Sequence, residues 1–193
     1  MTIERIKQLA DESIEAKRRF FQSQADSVLR AAEMIVASVQ EGGKVLLFGN
    51  GGSAADAQHI AAELVNRLNR DHPPIPAIAL TTDTSILTSI GNDSSFDELF
   101  ERQVRALGRR GDIAVAISTS GNSPNVLRAA RAAREIGISV IALTGRGGGR
   151  LASEVDLALS VETESTQRIQ ETHITIGHII CELVEDALFP AQG

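Results

Sequence analysis

The chain contains no tryptophan and no tyrosine, and only six phenylalanines among 193 residues. That scarcity argues against a platform that stacks bases or sugar rings. A single cysteine, Cys181, excludes an internal disulfide framework and suits a reducing compartment, so a cytoplasmic location is expected. No apolar run approaches the ~18 residues of a membrane span. The opening Met1–Lys7 alternates polar and apolar residues and has no signal-peptide core. Positive charge is in deficit, with 19 Lys and Arg against 25 Asp and Glu, a formal net charge of −6. With no basic tract, a direct nucleic-acid ligand is not expected. What is present is the composition of a folded domain: 42% hydrophobic and 23% charged residues. The length suffices for one domain, 1–193, with a full core.

The hydrophobic pattern predicts strands alternating with helices. Residues 3–40 read as a long helix with a break near Gln22–Asp26, ended by Glu41-Gly42-Gly43. Strands are expected at 44–48, 77–80, 112–117, 139–143 and 155–161. Helices are expected at 53–70, 84–90, 96–107, 124–136 and 165–188, with Gly91-Asn92-Asp93 separating the third from the fourth. This is an α/β fold, a five-stranded parallel sheet flanked by helices in a three-layer Rossmann-like or flavodoxin-like arrangement. The N-terminal segment 3–40 and the closing helix 165–188 lie outside the 44–161 alternation. Both have broad apolar faces, so packing in an oligomer interface is expected.

Two segments share one design: an apolar strand, a turn of small and hydroxyl residues, then a helix. The first is Lys44–Ser53, whose turn holds Asn50, Gly51, Gly52 and Ser53. The second is Ile113–Ser123, whose turn holds Ser118, Thr119, Ser120 and Ser123. A helix N-terminus offers free N–H groups and partial positive charge, which suits phosphate. Four hydroxyls in six residues exceed what capping alone requires. In parallel sheets ligands sit beyond the carboxyl ends of strands, where both turns fall. Asp83 and Asp93 follow the second strand and are candidates for the same cleft, with turn capping an equal reading for each. The Gly145–Gly149 loop leads into no long helix and carries little weight as a nucleotide fingerprint.

His59 and Glu63, four residues apart on the helix after the first turn, share a face. Such a pair can bind one metal ion, or Glu63 can serve as a base beside a bound substrate. The closing helix carries Gln170, Glu171, His173 and His178. A histidine in an apolar stretch is more often a satisfied core residue than a catalyst. Gln170 and His178 are about 12 Å apart along a straight helix, so spacing alone establishes no four-ligand site.

Taken together, Gly49–Ser53, His59 with Glu63, Pro76–Ala79, Gly91–Asp93, Ile117–Ser123, Ala142–Gly145, Arg168–Glu171 and His178 resemble the phosphoheptose isomerase family of the sugar isomerase (SIS) superfamily. The resemblance covers residues 3 to 190. It implies a homotetramer with active sites between subunits. The reaction implied converts D-sedoheptulose 7-phosphate to D-glycero-D-manno-heptose 7-phosphate, the first step towards ADP-heptose for lipopolysaccharide core. It implies that Ser118, Thr119, Ser120 and Ser123 hold the phosphate with help from Asn50 and Ser53, and that Asp93 lies in the pocket wall. It also implies zinc on His59, Glu63, Gln170 and His178, with Glu63 and His178 as acid–base pair. The chain ends, with Ser53–His59 and Val104–Gly108, also resemble DiaA-type replication-initiation adaptors, which share the fold and bind the initiator DnaA. That pattern lacks the acid at Glu63 and the histidine at His178, so the isomerase reading is preferred. A pentose 5-phosphate isomerase is a third reading; the arabinose 5-phosphate isomerases usually carry extra C-terminal regulatory domains.

Overall fold

The computed structural model describes residues 1–190; positions 191–193, the end of the expected domain, lie outside the described residues. The order is α1 (Ile3–Gln40), β1 (Val45–Gly49), α2 (Gly52–Val65), β2 (Ala77–Ala79), α3 (Thr84–Asp93), α4 (Leu99–Leu107), β3 (Ile113–Ser118), α5 (Pro124–Glu135), β4 (Ser139–Thr144), β5 (Leu157–Ser160) and α6 (Thr166–Leu188). Short 3₁₀ turns at Phe96–Glu98 and Leu151–Ser153 complete it. The sheet is wholly parallel in the order β2-β1-β3-β4-β5. β1 and β3 are the central neighbours at which the strand order reverses, the switch point where such sheets bind ligands.

The central strands β1 and β3 are buried along their whole length, as their unbroken runs of apolar residues require when helices cover both faces. One face carries α1, α2 and α6 over Val45, Leu47, Val115, Ile117, Ile141 and Leu143. The other carries α4 and α5 over Leu46, Phe48, Ala114, Ala116, Val140 and Ala142. Alternate residues of each strand serve opposite cores, the period-two rule of a pleated strand.

Most expected elements are present, with instructive differences. α1 kinks at Gln24 (φ −130°, ψ 17°), inside the expected break. The kink delivers the Gln24 amide to the sheet edge, where it donates to Ser160 O at 2.7 Å and accepts from Ser160 N at 3.3 Å. A side chain thereby satisfies the open edge of β5. α2 stops at Val65, not Arg70. The freed N–H groups of Leu68, Asn69 and Arg70 donate to the buried Glu185 carboxylate on α6. A partner over a hundred residues away therefore ends this helix. α3 continues through Gly91-Asn92-Asp93 and breaks at Ser94, so the separating turn falls three residues later than expected. Asp83 caps α3, accepting from Ile86 N at 2.9 Å.

The kink also divides α1 by environment. From Val28 to Ser38 its inner face is buried, packed with α6. The first half leaves Ile3, Ile6, Leu9 and Ile14 exposed. Arg168 on α6 ties this half to the body, donating to Leu9 O at 2.7 Å.

Candidate active site

Both hydroxyl-rich turns emerge side by side at the carboxyl end of the sheet, because Gly49 of β1 pairs in register with Ile117 of β3. In the first turn Gly51 takes φ +56°, a conformation glycine adopts at no steric cost. Ser53 N donates to Asn50 O at 3.0 Å, closing the turn and starting α2. Ser53 is buried, and the N–H groups of Gly51 and Gly52 find no acceptor among the described residues. Gly52 is also a close-approach point: a Cβ there would stand 2.5 Å from Gln170 Nε2. Gln170 from α6 therefore reaches the start of α2, which its position along the sequence does not reveal.

In the second turn Ser118 Oγ and Ser123 Oγ hydrogen-bond at 3.0 Å, with Ser118 buried at the end of β3. Ser120 is exposed and its Oγ accepts from Asn122 N at 3.2 Å. The N–H groups of Thr119, Ser120 and Ser123 have no acceptor among the described residues, so this turn presents hydroxyls and free donors together. Its shape is held from behind by the Gly145–Gly149 loop. Gly121, at φ +63°, lies against Gly148 and Gly149, and Gly145 against Thr119 O, so closely that a Cβ at Gly121 or Gly145 would overlap backbone. Leu151 N donates to Gly121 O, and Arg150 N to Asn122 Oδ1. The glycine loop is thus a brace for the hydroxyl turn, a role that pattern reading did not assign to it.

His59 and Glu63 on α2 meet His178 on α6. His59 Nε2 lies 2.9 Å from His178 Nε2 and 3.2 Å from Glu63 Oε1. One ligand atom from each of the three residues falls within 4.8 Å of the others. Two ring nitrogens this close cannot both carry protons, so at least one presents a lone pair. Two imidazoles and a carboxylate converging on one point form a donor set suited to a divalent metal ion. His59 is exposed, while Glu63 and His178 are half-buried, so the cluster opens to solvent on one side.

The two histidines of α6 have separate fates. His173 is fully buried and its Nε2 donates to Thr144 O at 2.9 Å. Burial, only partly offset by that bond, pushes its pKa down to about 4, so it is a neutral core residue. His178, five residues on, faces the opposite α2. Five residues advance a helix by 500°, or 140° net, which turns the two rings to different neighbours. Asp93 stands apart: it is exposed at the end of α3, its Oδ1 accepts from Asn92 Nδ2 at 2.7 Å, and no hydrogen bond links it to either turn.

One residue of the cradle escaped the motif reading. Asn125, in the first turn of α5, is 1% exposed. Its amide pairs with that of Asn50 through two reciprocal bonds of 2.9 Å. The available signal was an amide just after a hydroxyl turn, which reads equally as a solvated helix start.

A family model described as the SIS domain matches residues 8–145. The phosphoheptose isomerase of Thermodesulfovibrio yellowstonii is 53% identical over 186 residues, spanning 96% of this chain and 92% of that protein. Among solved structures, the phosphoheptose isomerase GmhA of Neisseria gonorrhoeae superposes with a TM-score of 0.90 at 48% identity, covering 95% of this chain and 98% of that one. The phosphoheptose isomerase of Francisella tularensis superposes at 0.93 with 38% identity, covering 96% and 100%. The adaptor alternative receives no support from these relatives. Over nearly its whole length the chain is thus similar in sequence and in fold to enzymes of one kind, and it belongs to the phosphoheptose isomerase family of SIS-domain proteins.

Proposed function

We propose that this protein interconverts D-sedoheptulose 7-phosphate and D-glycero-D-manno-heptose 7-phosphate, supplying heptose biosynthesis. The observation that carries this reading is the convergence of His59, Glu63 and His178 beside two turns rich in free donors. The phosphate sits on the Ser118–Ser123 turn, held by the hydroxyls of Ser118, Thr119, Ser120 and Ser123 and by their backbone N–H groups. The Asn50–Ser53 turn forms the opposite wall. The far end of a seven-carbon sugar then extends towards α2 and α6, and Asp93 belongs to the pocket wall completed on assembly.

Aldose–ketose isomerisation moves a proton between C1 and C2 through an enediol. The Glu63 carboxylate takes the proton from one carbon and returns it to the other. His178, with a ring nitrogen that can give or accept, moves a proton between the O1 and O2 oxygens. His59 orients both through its contacts at 2.9 and 3.2 Å. The donor set of His59, Glu63 and His178 fits zinc, which these three would hold with Gln170, whose amide reaches the start of α2 at Gly52. Bound zinc supplies a Lewis acid that stabilises negative charge on the enediol oxygens.

The assembled form is a homotetramer in which the first half of α1 is covered. Ile3 and Ile6 are 67% and 68% exposed on one chain, and Ile14 lies on the same segment. Such an apolar stripe is ordinarily buried by a partner. No described helix is long and apolar enough to cross a membrane, and buried Cys181 is free; we place the enzyme in the cytoplasm.

The test is direct. Zinc-supplemented wild type is mixed with sedoheptulose 7-phosphate and products are followed by NMR. An aldoheptose 7-phosphate forms with wild type, and Glu63→Gln reduces turnover by roughly 10²–10⁴-fold without loss of fold. A folded wild-type oligomer that forms no aldoheptose phosphate overturns the assignment, and binding to DnaA would then be measured.

A further inference from the structure

The two walls of the phosphate cradle are not independent, and one buried amide pair joins them. Asn50 opens the turn after β1, and Asn125 stands two residues past Ser123 in the first turn of α5. Asn50 Nδ2 donates to Asn125 Oδ1 and Asn125 Nδ2 donates to Asn50 Oδ1, each at 2.9 Å. Asn125 Oδ1 also accepts from Val126 N at 2.9 Å, satisfying one of the free N–H groups at the start of α5. The Asn125 amide thus makes three of its four possible hydrogen bonds within the protein, and at 1% exposure it has no surface left for substrate. Asn50 is tied as well: both its amide oxygen and its nitrogen face Asn125. Backbone hydrogen bonds join β1 to β3 only as far as the strands run, and the turns lie beyond them. The amide pair is the tie between the turns at the level where ligand binds.

We propose that Asn125 is a positioning residue for phosphate binding, acting through Asn50 to fix the separation of the Gly51-Gly52 donors from the Ser118–Ser123 hydroxyls. This rests on the reading of those turns as the phosphate cradle. A cyclic amide pair is rigid because its two parallel bonds forbid rotation of either side chain. Preorganised donors bind an anion without the entropic cost of gathering them. The acid–base residues lie on α2 and α6, beyond the clamp, so the clamp governs binding more than the proton transfers.

The test is a double-substitution cycle on Asn50→Ala and Asn125→Ala, with Asn125→Ser as a variant whose hydroxyl can still accept the Val126 N–H and so preserves the helix start. The dissociation constant for inorganic phosphate is measured by calorimetry, KM and kcat for sedoheptulose 7-phosphate by NMR, and the fold by circular dichroism. Loss of the paired bonds is expected to raise both the phosphate constant and KM roughly tenfold, with kcat within about twofold, in Asn125→Ala and Asn125→Ser alike. Because Asn125 acts through Asn50, the double variant is expected to be no worse than the more affected single one. Phosphate affinity and KM within twofold of wild type in folded Asn125→Ser overturn the proposal. So do additive losses in the double variant, or a fall in kcat with KM unchanged. Phosphate binding is read separately from turnover. A wild type that binds phosphate but does not isomerise the heptose refutes the substrate assignment and leaves the Asn125 comparison decisive. A wild type with no phosphate affinity refutes the clamp.

Discussion

His173 makes stability depend on pH in a way that can be calculated. Its ring is buried and neutral, with a pKa lowered from 6.5 to about 4. The unfolded chain takes up a proton near pH 6.5 that the folded chain refuses until about pH 4. The folded pKa is depressed, so the stabilisation is complete above the unfolded pKa and is lost as pH falls towards the folded one. A shift of about two and a half units at 1.36 kcal/mol per unit sets a ceiling of about 3 kcal/mol, of which about 2 kcal/mol is lost by pH 5. The control is His173→Gln, whose side-chain amide can still donate towards Thr144 O but does not titrate. Urea unfolding of both proteins at equal concentration, at pH 7.5, 6 and 5, gives the difference. Other groups cancel in that difference. Among them are Asp56, raised by burial, and Glu185, which burial pushes up but the N–H groups of Asn69, Arg70 and Leu68 bring to a net lowering. Wild type is expected to lose about 2 kcal/mol more than the variant between pH 7.5 and 5. Parallel pH profiles would refute the placement of His173 as a neutral core residue.

Three further outcomes follow from the geometry. Ser120→Ala removes an exposed hydroxyl of the cradle and should raise KM several-fold, roughly 0.5–1.5 kcal/mol of binding, with kcat little changed; an unaltered KM counts against that turn as the phosphate site. Gly121→Ala forces a side chain into positive φ against the backbone of Gly148, and urea unfolding should show a loss of about 2–4 kcal/mol together with weakened phosphate binding. Replacing Ile6 and Ile14 by Asp places charge on the exposed half of α1. If the stripe is the interface, sedimentation should then show a smaller assembly than wild type, whereas an unchanged assembly would mean that it is not.

Much of the fold is legible because its causes are local. The fully apolar runs Val45–Phe48 and Ile113–Ile117, short and containing β-branched and aromatic residues, read as strands covered on both faces, and the glycine and hydroxyl residues after them favour turns. The break in α1 shows in its hydrophobic pattern, and the structure puts it at Gln24. The family resemblance named His59, Glu63, Gln170 and His178 as one metal site, and α2 and α6 bring three of them, His59, Glu63 and His178, together. Where the cause is distant, the sequence is silent. The end of α2 at Val65 depends on Glu185 of α6 accepting the next N–H groups. The use of Gly145–Gly149 depends on backbone of the Ser120-Gly121 turn approaching too closely for any Cβ.

The sequence by itself determined the alternation of strands and helices, the parallel sheet and the two anion-ready turns, since periodicity and turn chemistry act over a few residues. Tertiary structure alone buried His173 in the core, brought His178 against His59 and Glu63, and decided which amide joins the two turns. Those choices are made by packing between segments 29 to 119 residues apart, and a side chain's chemistry follows from the neighbours that packing supplies.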